Sequence, residues 1–149
     1  MNNAWLILRT EHSKEQYVER QIANMEGCLA WWPVELRAVR IHRRSKTRKT
    51  EPHSILPHRV FAAFPAALYS RIVNSRYVDA IVCDAASTPL QIPHSQIVTF
   101  RETIDQLNRE TLALVEMGTP KQRKAQWKDM KEALEAMIKQ SGQQLQEVA

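Results

Sequence analysis

The sequence predicts an α+β fold, a sheet of short strands flanked by helices with a C-terminal helical extension. Three observations carry this. Short apolar runs with strand character recur as far as Pro93. Two segments with helical spacing interrupt them, giving a β-α-β-β-α-β order. From His94 onward the strand signals stop, and apolar residues recur at helical spacing.

The elements follow in order. Ala4-Trp5-Leu6-Ile7-Leu8-Arg9-Thr10 is a compact apolar strand, expected at or near the sheet centre. Ser13 is placed as an N-cap with Gln16 completing a capping box, and Val18, Ile22 and Met25 give an amphipathic helix over 14–26 that Gly27 ends. Cys28 to Leu36 returns to strand, with Trp31 and Trp32 adjacent and therefore on opposite faces. Residues 58–64 form the next strand, closed by Pro65. Ala66 to Ile72 can form a short helix, and Tyr77 to Cys83 is a further strand. Leu90 to Pro93 is a short extended piece. Ile97, Phe100, Ile104, Leu107, Leu112 and Val115 then mark one helix, and Met117-Gly118-Thr119-Pro120 punctuates it. Residues 121–140 form a second helix with Trp127, Met130, Leu134, Met137 and Ile138 on one stripe. The simplest arrangement of these two helices is an antiparallel hairpin, so the chain divides into residues 1–103 and a helical extension 104–149.

The charge is concentrated between the second and third of these strands. The chain has net charge +5, whereas residues 37–50 alone carry seven cations and no acid. Val39 and Ile41 alternate with Arg40 and His42, so strand character continues into this segment, and residues 37–53 read as a basic hairpin. No Asn-Gly or Gly pair marks a tight turn, so a longer loop is expected at its tip. Such a cluster repels itself and calls for an anionic partner, nucleic acid first. Arg40, Arg43, Arg44, Lys46, Arg48 and Lys49 are the candidate nucleic-acid contacts. Their role is to grip phosphates, which adds affinity more than sequence choice. The basic residues near the start of helix 121–140 are read as a solvated face, with contact to a nucleic-acid backbone as the lesser alternative.

Other classes are excluded or unsupported. No window approaches the length of an apolar membrane span, so no membrane association is expected. The two cysteines, Cys28 and Cys83, read as free core thiols of a cytoplasmic protein. The five histidines show no metal-ligand spacing, and no Cys-x-x-Cys, His-Glu-x-x-His, phosphate loop or dinucleotide fingerprint occurs. The chain therefore reads as a binding protein and not an enzyme, with no metal and no cofactor.

Several segments, in order and at matching spacing, resemble the N-terminal domain of the NusG family of transcription elongation factors, particularly its RfaH-like paralogues. Trp5-Leu6-Ile7-Leu8 matches the opening Trp-Tyr-x-x strand, and Ser13-x-Glu15-x-x-Val18 the helix that follows. Pro33 fits the strand proline, and the basic segment fits the hairpin arm. Leu56-Pro57-x-x-Val60-Phe61-Ala62 corresponds to the Leu-Phe-Pro-Gly-Tyr-Val-Phe-Val motif. Asn74-Ser75-Arg76-Tyr77-Val78 corresponds to Asn-x-x-Gly-Val, and Thr88 to Pro93 to the Pro-x-Pro-Ile-x segment. The resemblance covers residues 4–107 and implies an antiparallel sheet.

It also implies a function, that of a transcription elongation or antitermination factor. The domain would bind the clamp helices of the largest subunit of bacterial RNA polymerase through an exposed apolar patch drawn from Trp5, Trp32, Phe61, Phe64 and Tyr69. A second contact would fall at Leu68-Tyr69-Ser70-Arg71, with Arg71 included in the polymerase surface. The arm would lie near upstream or non-template DNA of the elongation complex. The alternative reading is an RNA- or ribosome-binding protein that uses the hairpin without polymerase contact. Two departures stand out. His58 and Tyr77 occupy glycine positions of the family motifs, which implies a different local turn at Tyr77. Residues 104–149 are helical and nearly Gly-free where the family carries a Gly-rich KOW barrel, so recruitment of Rho or the ribosome by that barrel is not expected.

Overall fold

A computed structural model of the chain describes residues 4–42, 44, 47–113 and 121–148, with side chains of the last segment described over 123–142. The first half holds β1 (Ala4–Thr10), α1 (Glu15–Ala23), β2 (Leu29–Trp31), β3 (Val34–Arg40), β4 (Arg48–Ser54) and β5 (Arg59–Ala63). After a 3-10 turn at Ala66–Leu68 come α2 (Tyr69–Val73), β6 (Val78–Ile81), β7 (Ile92–Pro93), α3 (His94–Ala113) and α4 (Lys121–Val148). The main sheet is antiparallel and runs β2-β5-β1-β6, with β7 pairing to Ala4 and Trp5 of β1. β3 and β4 form a separate two-stranded ribbon.

β1 is continuously apolar because both of its faces are covered. Alternate residues point to opposite sides of a strand. Trp5 and Ile7 join Trp31 and Phe61 in one core, together with Ile97 and Ile104 of α3 and Trp127, Leu134 and Met137 of α4. Leu8 joins Val60 and Ala62 in the other, beneath Val18 and Ile22 of α1 and Ile72 of α2. The molecule is thus three layers, with α1 and α2 on one side of the sheet and α3 and α4 on the other. Trp31 and Trp32 split between the two layers as neighbouring strand residues must.

α3 and α4 run antiparallel. Arg123, near the start of α4, pairs with Glu110 near the end of α3, and a side chain at Gly142 would meet Leu90, just ahead of α3. The boundary drawn at 103/104 falls inside α3, and Ile104 belongs to the core that Trp5 begins.

Some local expectations are corrected. Ser13 does not cap α1. The N-cap position falls on Lys14, no side chain caps the helix, and Ser13 takes φ 63°, unlike the extended backbone that a side-chain N-cap requires. The helix is also shorter than 14–26, ending at Ala23. Cys83 is exposed and only Cys28 is buried, where desolvation pushes its thiol pKa up. Leu112, placed on the apolar stripe of α3, is exposed, and Val115 lies outside the described residues.

Non-glycine residues at the two family glycine positions take positive φ. Tyr77 has φ 71° and His58 has φ 66°, so both residues hold the left-handed backbone that a glycine would adopt freely. Each costs about 1–2 kcal/mol of strain. Contacts offset part of it at Tyr77, whose ring meets Tyr17 edge-on while Lys14 and Arg76 sit over it, each 4.9 Å from the ring centre.

Candidate nucleic-acid interface and partner surface

The ribbon is built differently from the sheet. Its strands pair in unbroken register from Val34↔Ser54 to Arg40↔Arg48, leaving residues 41–47 as the connecting loop. The long loop anticipated from the lack of turn residues is therefore present. Arg40 and Arg48 face each other at the last pair, an arrangement of like charges that weakens a ladder unless an anion sits nearby. Arg40, Arg44 and Lys49 are exposed and Arg48 is half-buried. Arg43 and Lys46 lie outside the described residues. Two cations are partly neutralised within the ribbon: Arg37 bonds Glu35 at 3.1 Å, and Lys49 lies 3.4 Å from Glu51. Arg40, Arg44 and Arg48 make no ion pair among the described residues.

Polar anchors fix the root of the ribbon. Asn108 of α3 accepts from the Leu36 backbone N–H and donates to the Val34 carbonyl, both at 2.9 Å. Its amide thus substitutes for a neighbouring strand along β3. On the other side, Trp32 Nε1–H donates to Ser54 Oγ at 2.7 Å, and Ser54 donates to Glu15 at 3.3 Å. Glu19 accepts the Trp32 backbone N–H at 2.7 Å. Burial raises the Glu19 pKa, and the Trp32 backbone hydrogen bond works against that rise. Sequence reasoning missed Asn108, because a polar residue on an apolar helical stripe gives no sign of which backbone it will meet. Glu15 and Glu19 stand one turn apart on α1, and nothing in the sequence showed that both would meet the Trp32–Ser54 corner.

The apolar residues expected to form one exposed patch do not do so. Trp5 is 2% exposed and Phe61 is fully buried, both beneath α3 and α4. The correction has a plain cause: their strand parity points them at the face that the helical extension covers. Trp32 and Phe64 are half-buried on the opposite side of the sheet, against the α1 and α2 layer. Tyr69 is 40% exposed at the start of α2, and Arg71 is exposed two residues on. The accessible members of the set are therefore Trp32, Phe64, Tyr69 and Arg71, all away from the α4 side.

Among the described residues no group of three or more His, Cys, Asp or Glu could hold a metal ion. No helix among the described residues is long and apolar enough to cross a membrane.

Comparison with known proteins adds one finding to this geometry. No curated protein matches the chain. Residues 3–101 match the family described as NusG, transcription termination factor NusG. The match spans β1 to the first turns of α3, including the whole ribbon, and an α+β antiparallel sheet is the fold expected of such a domain. The chain therefore belongs to the NusG family of transcription factors, through the N-terminal domain of that family.

Proposed function

We propose that this protein binds bacterial RNA polymerase at the clamp helices and holds its basic ribbon against DNA of the elongation complex, acting on elongation or antitermination in the manner of an RfaH-like paralogue. The observation that carries the reading is the ribbon itself. It lies within the stretch that matches the family, is rooted by Asn108 and Trp32, and carries Arg40, Arg44 and Arg48, which make no ion pair among the described residues. Polymerase supplies the local concentration, so the ribbon need not bind tightly alone.

The accessible Trp32, Phe64, Tyr69 and Arg71 are the first candidates for the polymerase contact. The burial of Trp5 and Phe61 favours a second route, in which α4 leaves the sheet and frees them. Unseating α4 exposes Trp127, Leu134 and Met137, each worth about 1.5–3 kcal/mol of burial, so polymerase would have to offset several kcal/mol.

Capture of core polymerase tests both routes. Tyr69→Ala and Arg71→Ala reduce capture if the accessible surface makes the contact. Leu134→Asp, which loosens α4, raises capture if Trp5 and Phe61 make it. The wild-type protein failing to capture polymerase, while retaining a structured RNA, would refute the proposal in favour of the RNA- or ribosome-binding alternative. Transcription across intrinsic and Rho-dependent terminators then gives the sign of the effect.

A further inference from the structure

α4 was read from its sequence as a solvated basic face. Its position changes that. A cleft of about 710 Å³ separates it from the ribbon. Arg37 and Arg48 line the ribbon side, and Lys124, Lys128 and Lys131 line the helix side. Glu35 is the one acid on its lining, and it is already bonded to Arg37. Arg48 and the three lysines make no ion pair among the described residues, although Glu132 and Glu135 lie one turn from Lys128 and Lys131. Trp127 also lines the cleft. It is 4% exposed, and its indole N–H has no acceptor among the described residues.

These features belong together. Lys124, Lys128 and Lys131 follow i, i+4, i+7 spacing, so they share one helix face with Trp127. They span about 10 Å of helix axis, the length of more than one phosphate step. Trp127 seats α4 on the sheet through its ring and so holds the lysines opposite the ribbon. Four net positive charges across a narrow gap repel one another, and an anion threaded between them removes that repulsion.

We infer that α4 and the ribbon are the two walls of one cleft that grips the phosphate backbone of a single nucleic-acid strand. The inference rests on reading the ribbon as the element that faces nucleic acid, and it adds the C-terminal helix to that interface. The cleft has cationic walls on both sides, and a flexible single strand can present phosphates to both at once more readily than a rigid duplex. Its side chains are Arg and Lys with no base-reading amide, so it holds the backbone without choosing sequence.

Anisotropy of a short fluorescent oligothymidylate with the full chain, titrated over salt, tests this. Replacing Lys124, Lys128 and Lys131 together by Gln, a good helix former, should weaken binding about tenfold or more at ~50 mM salt. The salt slope should fall by about 2, since each lost single-strand contact is worth about 0.7. The matching triple Arg variant should bind like the wild type, and Arg48→Gln should weaken binding in the same sense. Oligouridylate should bind like oligothymidylate, and a duplex should bind more weakly. Unchanged affinity and slope in the Gln variant, with loss in Arg40→Gln and Arg44→Gln, overturns the cleft while leaving the ribbon's role intact. Binding of duplex in preference to single strand overturns the single-strand assignment. Capture of polymerase by the same Gln variant, measured in parallel, keeps failure of the cleft distinct from failure of the proposed function.

Discussion

The main sheet and the ribbon are both antiparallel, yet opposite forces hold them. The sheet is fixed by burial on two faces: Ile7 opposite Phe61 on one side, Leu8 opposite Val60 on the other. The ribbon has few buried residues, carries Pro52 in β4, and bears its charges outward. It is placed by specific hydrogen bonds at its root, from Asn108 to β3 and from Trp32 through Ser54 to Glu15. The difference teaches that the sheet can be stable without the ribbon, while the ribbon's direction depends on a handful of polar groups. A protein that presents cations to a large partner gains from this, because the charged element is aimed without being made part of the core.

The largest effect expected on this contrast is from Phe61→Ala. Phe61 is fully buried between β1, β2 and the α4 side, so its loss should cost about 3–5 kcal/mol, read as a fall in the urea midpoint. A cost under about 1 kcal/mol would mean that the helical layer does not pack as described. Asn108→Ala comes next. It strips two backbone partners from β3 and should cost about 1–3 kcal/mol. Amide exchange should rise across Val34–Arg40 and Arg48–Ser54 but not across β1 or β5; uniform acceleration would place Asn108 in the core's economy instead of the ribbon's.

His58→Gly should act in the other direction. Relief of the left-handed strain, less the entropy of a new glycine, should stabilise the fold by about 1 kcal/mol or less. Tyr77→Gly should gain less, since it also removes the Tyr17, Lys14 and Arg76 contacts. Equal gains at the two positions would show that the Tyr77 contacts contribute no more than the single ring contact of His58 with His12, 5.4 Å between centroids.

The smallest effect is electrostatic and lies on the α4 side. The hydrogen bond from Arg123, then that from Gln106, holds the Glu110 pKa below its ordinary value. A carboxylate depressed in the folded state adds stability above its unfolded pKa and loses it as pH falls through the folded one. Melting temperature should therefore drop on acidification through and below the ordinary glutamate range, and Glu110→Gln should flatten that part of the profile. An unchanged slope in the variant would remove the Arg123 pair from the forces that seat α4.

Much of the sheet was legible because apolar runs and their breakers mark strands directly. Trp5 to Leu8 declared a strand at or near the sheet centre, and Trp31-Trp32 declared its split. The hairpin was legible from its charge. What was hidden depended on pairings between distant segments. Nothing local reveals that α4 covers Trp5 and Phe61, so residues that looked fit for an exposed patch are core. Nothing local joins Asn108 to β3, or sets Lys124, Lys128 and Lys131 across a gap from Arg48. The glycine positions taken by His58 and Tyr77 were visible in the sequence, but their backbone conformation was not. Sequence shows what residue is present, whereas the surrounding structure decides whether it tolerates φ > 0.

The central claim is that the sheet domain docks on polymerase so that the ribbon reaches nucleic acid. The most direct measurement is photocrosslinking from a reactive side chain at position 44, at the exposed tip of the ribbon, in a reconstituted elongation complex. A crosslink to DNA should form that requires polymerase and disappears when Arg40, Arg48 and Lys49 are replaced by Gln. Polymerase bound with no crosslink from the tip, or a crosslink to DNA that is indifferent to polymerase, would contradict the claim.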